Sequence, residues 1–179
     1  MADTEIIRIS PYYKDVKDSI KEAIETCINV AYVINENKPI RQIVGRGLVF
    51  SDLLIEGTKP LESDIIEIDP GYHDIDLFNG SYARVPEGKA YLFYGFKLLA
   101  MDPRVIVRSI DFKVGQCTHT YVVEPYYRNL VRGVTLYFHP HHILKENIPY
   151  DIVIHAENLT DKKQKLRFTM LGYVAEPIY

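Results

Sequence analysis

The stretch IPYDIVIHAENLTDKKQKLRFTMLGYV, residues 148–174, decides how the rest of the chain is read. Tyr150, Ile152, Ile154 and Ala156 alternate with Asp151, Val153 and His155, the period-2 pattern of a strand with one apolar face. Asn158 to Lys165 then gathers polar and turn-forming residues where the backbone reverses. Leu166, Phe168 and Met170 resume the alternation, with Arg167 and Thr169 facing the other way. The pattern predicts two long strands joined as a hairpin. A lone hairpin is marginal in water, so its apolar row needs further strands or a helix to cover it.

Both are foreseen on the N-terminal side. Ile6, Ile7 and Ile9 form a short alternating piece, an arm or edge strand ended by Ser10-Pro11. From Tyr13 to Asn35 the period changes: Val16, Ile20, Ile24, Cys27, Ala31 and Ile34 recur at steps of three or four, with charged residues between them. That spacing predicts an amphipathic helix, stopped by Asn35, Asn37 and Pro39. Beyond it, strands are expected at Ile40 to Ile55 around Gly45 and Gly47, Ile65 to Ile68, Ala90 to Ala100, Val105 to Val114, Cys117 to Val123 and Asn129 to Phe138. Ala90 to Ala100 is apolar enough for both its faces to be covered. In Val105 to Val114 simple alternation puts Val105, Val107, Ser109 and Asp111 on one side and Ile106, Arg108, Ile110 and Phe112 on the other. Tyr72 to Gly80, rich in acids and rings, reads as a loop. The sum is about eight strands, a jelly-roll-like antiparallel β-sandwich with one N-terminal helix. Residues 1–38 are arm and helix, and 39–179 form one compact sandwich.

The 179 residues suffice for a core without metal or disulfide staples. A formal net charge of −3 gives no global basic field to draw the chain to nucleic acid. Arg41, Arg46, Arg104, Arg108, Arg128 and Arg132 accompany rings, but acids are as plentiful, so no specific nucleic-acid role is expected. The acidic start Met1-Ala2-Asp3-Thr4-Glu5 is unlike a secretory signal, and no apolar run reaches the ~20 residues of a membrane span. The expected setting is the cytoplasm, without a membrane partner. Cys27 and Cys117 lie far apart with no disulfide spacing. Asn79-Gly80-Ser81 and Asn158-Leu159-Thr160 read as turns.

Fourteen tyrosines and no tryptophan point toward contact surfaces, since tyrosine pairs an apolar ring with a polar tip. Tyr12, Tyr13, Tyr126, Tyr127 and Arg128 are the candidate interface residues, because tyrosine and arginine are enriched where proteins dock. Catalytic candidates are sparse. No Gly-x-Ser-x-Gly elbow is present. Cys117 and His119 share a strand face without an orienting partner that sequence can name, and Asp74 and Asp76 lack the further oxygen ligands of a calcium loop.

Gly133-x5-His139-x-His141-x4-Glu146 resembles the first metal motif of the cupins, themselves jelly-roll barrels. The resemblance implies an iron, manganese or zinc site on His139, His141 and Glu146. Pro140 between the histidines, the missing glycine after Glu146, and the shortness of the 33 remaining residues depart from that family's pattern. The helix, the Val85-Pro86-Glu87-Gly88-Lys89 turn before an aromatic strand, and the closing Phe168-Thr169-Met170-Leu171-Gly172-Tyr173-Val174 are similar in general form to phage and other virion proteins of jelly-roll or sandwich type. That resemblance covers residues 80–179. It implies a structural subunit of capsid, neck or tail in a virion, bound to copies of itself and to other structural proteins, without a cofactor. A cupin-like metalloenzyme is the second reading and a carbohydrate-binding sandwich the third.

Overall fold

The fold is that of a computed structural model, which describes residues 4–6, 8–10, 14, 16–123 and 130–179. The strands are β1 (Thr4–Ile6), β2 (Arg8–Ser10), β3 (Gln42–Gly47), β4 (Leu54–Ile55), β5 (Lys59–Pro60), β6 (Ile65–Ile68), β7 (Gly71–Asp76), β8 (Ala83–Arg84), β9 (Ala90–Ala100), β10 (Val105–Val114), β11 (Cys117–Val122), β12 (Val134–Leu144), β13 (Pro149–Asn158) and β14 (Gln164–Ile178). The helix α1 spans Lys17–Ile34.

Eight of these strands make the sandwich. One sheet runs β6-β14-β9-β12 and the other β7-β13-β10-β11. In chain order every step among the eight crosses between sheets except the β10–β11 hairpin, which is jelly-roll wiring. The remaining strands extend the edges. Here β1 adds to β11 in parallel and β2 adds to β12, so the N-terminal arm touches both sheets along one side.

The wiring corrects the expected hairpin: β13 pairs with β10 and β7, and β14 with β9, β3 and β6, so the two strands lie in different sheets. Their apolar rows do cover something, namely each other. Tyr150, Ile152, Ile154 and Ala156 line one wall of the core, and Leu166, Phe168 and Met170 the other. The polar connection is a corner built on Asn158, 1% exposed. Its amide donates to the carbonyls of Ile68 (2.9 Å) and Lys162 (2.7 Å), and its oxygen accepts from the Thr160 backbone N–H (2.9 Å) and hydroxyl (2.7 Å). Those bonds satisfy a polar group that would otherwise be costly to bury.

Helix α1 lies on the outer face of the β14-β9 sheet. Ala23, Cys27 and Ala31 meet Ala90, Leu92, Ala175 and Ile43 there. Small residues on both sides permit close approach, and β9 is covered on both faces from Ala90 to Tyr94; the expected double cover does not extend further, since Lys97 is exposed and Leu99 half-buried. Burial of Cys27 pushes its thiol up to about 12, leaving it an inert packing group.

Two departures from simple alternation matter. Tyr72 to Asp76, expected as loop, belongs to β7 and pairs with β13, its acids facing solvent. In β10 a register shift between Val107 and Ser109 inserts Arg108 as an extra residue, so Val105, Val107, Ile110 and Phe112 all reach the core. Further shifts occur where β9 meets β12 and β14. Gly95 and Gly172 sit at them: a Cβ would stand 2.5 Å from the Leu136 carbonyl oxygen at the first and 2.4 Å from that of Leu92 at the second.

Candidate functional site

The expected interface residues Tyr12, Tyr13, Tyr126, Tyr127 and Arg128 lie outside the described residues. Among the remaining tyrosines, Tyr91, Tyr121 and Tyr150 are sealed in the core, while Tyr32, Tyr72, Tyr82 and Tyr179 are exposed. The exposed rings belong to the helix, β7, the β7–β8 connection and the C-terminus, so they form no single platform for stacking sugars or bases.

The cupin-like positions are pulled to opposite ends of α1. His141 Nε2 lies 2.9 Å from the Ser19 hydroxyl, near the start of the helix. Glu146 accepts the Gly88 N–H at 2.6 Å and sits 3.7 Å from Lys38 Nζ, beyond the helix end. His139 contributes its backbone to the pairing with β2. Around Pro140 the β12–β9 register jumps from Tyr137 to His142, the break that a proline in a strand is expected to cause. Among the described residues no three His, Cys, Asp or Glu side chains gather as metal ligands would.

The interior imidazole is instead His142. Its ring centroid lies 4.5 Å from His119, 4.9 Å from Phe112 and 5.6 Å from Phe138, and Nε2 meets the Tyr121 hydroxyl. Burial, followed by the charges of His119 and His141, lowers its pKa to about 3, so it is neutral at ordinary pH. His142 shares the parity of the core residues Leu136, Phe138 and Leu144, a signal that the cupin-like spacing of its neighbours obscures.

On the outer face of the β13-β10 sheet the chemistry is reversed. His155 is held between Asp74 (Nδ1 to Oδ1, 2.5 Å) and Asp111 (Nε2 to Oδ2, 2.8 Å), and Asp111 also accepts the Thr120 hydroxyl at 2.7 Å. Burial alone would lower the His155 pKa, but the hydrogen bonds and charges of the two carboxylates override it and raise it. Asp151 lies further along this face. Its pKa is raised to about 6 by burial and by the Asp76 carboxyl beside it. With Glu157, which pairs with Arg108, the face carries five acids against Lys113, Arg108 and His155.

The β14-β9 sheet offers the complementary surface. The helix packs over Ala90, Leu92 and Tyr94 of β9, and Lys97, Leu99 and Met101 continue beyond it. Across neighbouring strands the register sets Thr135, Lys97 and Thr169 in one row and Leu99, Arg167 and Ile65 in the next. Met101 is 71% exposed and Ile65 39%. Arg167 pairs with Asp64 at 3.3 Å, whereas Lys97, Arg132 and Lys165 have no ion pair among the described residues. Only Arg167 and Thr169 of this surface were legible as outward-facing from the alternation.

Of the other arginines, Arg46 is committed to an internal lock. Its guanidinium grips Asp52 at 2.6 and 2.7 Å and Glu176 at 2.9 Å, with Lys89 on the far oxygen of Glu176. Arg104 closes on Asp102 at 2.9 Å. No helix among the described residues is long and apolar enough to cross a membrane. No protein-family model matches the chain, and comparison with curated proteins and with solved structures returns no match.

Proposed function

We propose that the protein is a structural subunit of a larger assembly, a component of a virion capsid, neck or tail, that binds copies of itself and other structural proteins. The observation that carries the reading is the half of the β14-β9 sheet left bare past the helix, where Leu99, Ile65 and Met101 face outward among basic side chains. Exposed apolar groups ringed by polar ones mark a contact surface more often than solvent-facing strand. A filled, ring-packed core supports the same reading, because the wide sheets present surfaces rather than a pocket lined for chemistry. The virion setting draws on the general likeness of residues 80–179 to such proteins.

Native mass tests it. At high concentration, or in material from its source, the chain is expected in a particle of several subunits, with contacts burying more than ~1,000 Å². A monomer with no recovered partner would sink the reading.

A further inference from the structure

We infer that copies of the chain join head to tail, the bare half of the β14-β9 sheet of one copy seating on the outer face of the β13-β10 sheet of the next. This rests on the assembly reading and adds the surfaces and their polarity.

The occupant is argued from charge and shape. The bare half-sheet carries Lys97, Arg132, Lys165 and Arg167 around Leu99. Two adjoining concavities of about 310 and 380 Å³ flank the shared pair Leu99 and Arg167. The opposite side of the sandwich carries Asp74, Asp76, Asp111, Asp151 and Glu157. A concavity of about 420 Å³ near its edge is lined by Asp74 and Asp76, with Glu67 and Asp69 beside them paired to Lys163. Apolar groups accompany the acids as they do the bases: Tyr72 is 52% exposed and Val122 40%. Helix α1 packs on β9, β14, β12 and β3, so it leaves this acidic face open.

The chain therefore presents opposite charge on its two broad faces. Like-charged faces meeting across a two-fold axis would repel, while unlike faces attract and set the register. Because the two patches are different surfaces of one molecule, the contact is heterologous, and repetition closes a ring or extends a filament.

Sedimentation velocity on three proteins tests the inference: the wild type, Lys97→Glu/Arg167→Glu with a spoiled basic face, and Asp74→Asn/Glu157→Gln with a weakened acidic face. Each variant alone is expected to sediment as a monomer. Mixed, they are expected to form a 1:1 dimer and nothing larger, since each retains the face the other lacks. The dimer also reports that both variants fold. Independently of any variant, the wild-type particle is expected to shrink as salt rises from ~0.01 to ~1 M, where the screening length falls to ~3 Å. If both variants keep the wild-type mass, or the mixture stays monomeric while the salt effect is absent, the surfaces are wrong and the assembly reading stands. A wild type that is monomeric at all salt concentrations overturns both. Binding of a single-stranded oligonucleotide that Lys97→Glu/Arg167→Glu abolishes, with no change in self-association, would assign the basic face to a polyanion instead.

Discussion

His142 and His155 are the same side chain under opposite constraints. His142 stands inside the sandwich against Phe112, Phe138 and His119, with a tyrosine hydroxyl as its polar contact. His155 lies on the outer face of the other sheet with a carboxylate on each nitrogen. Lack of water holds the pKa of the first down, and the neighbouring carboxylates raise that of the second. The interior thus specifies packing and the exterior specifies charge.

The sharpest break is His142→Ala. It removes a ring from a close-packed cluster and deprives the Tyr121 hydroxyl of that partner, so a loss of about 2–4 kcal/mol is expected in urea unfolding. His155→Ala sits where water can replace the lost contacts. It is expected to cost about 1 kcal/mol or less. Equal losses would end the contrast.

The pH dependence separates the two by sign. The folded-state pKa of His142, about 3, lies below the ~6.5 of an unfolded chain, so as pH falls from ~6.5 toward ~3 the unfolded chain takes up a proton that the folded one refuses. Stability is expected to decline across that window by up to about 1.4 kcal/mol per pH unit from this group. His142→Phe, which keeps a ring and cannot titrate, is expected to flatten that slope. For His155 the folded pKa is raised, so its contribution is full below ~6.5 and is lost as pH rises through the higher folded value. His155→Gln is expected to remove the alkaline decline and leave the acid one. Urea midpoints measured from pH 4 to 9, on the order of a unit apart, resolve both slopes.

How much of this was legible in the sequence depended on how local each signal was. The bounds of β6, β9 and β10 and most of α1 follow from local period and stop signals. The pairing of β13 and β14 does not, because Asn158 to Lys165 suits a hairpin turn and a corner between sheets equally well. Only the buried hydrogen bonds of Asn158 distinguish the two. Alternation fails at Arg108 because one inserted residue inverts the parity of everything after it. In β12 the parity holds and His142 follows Leu136 and Phe138 inward, but the motif spacing draws notice to His139 and His141 instead. Asp74 in β7 and Asp111 in β10 meet His155 only through pairing distant in sequence, which no local spacing encodes.

Asp151 tests the comparison at its mildest, since it stands on the same face as His155 but is partly buried beside another acid. Asp76 spends its oxygens on the N–H groups of Phe78 and Gly80, both at 2.8 Å, so the proton of the pair resides on Asp151. Burial first and the Asp76 carboxyl second raise the Asp151 pKa to about 6, with Lys113 opposing. A carboxyl raised above its unfolded value contributes stability that is full below ~3.9 and is lost as pH rises through about 6. Asp151→Asn keeps a neutral amide where the acid is protonated. It is expected to leave stability unchanged near pH ~4 and to raise it at pH ~8 by up to about 1 kcal/mol, the full shift being reduced by solvent screening at a half-exposed group. A variant less stable than wild type at pH ~8 would mean that the Asp151 charge is favourable there, held by Lys113, and the outer face would then be a network of opposite charges rather than an acidic surface.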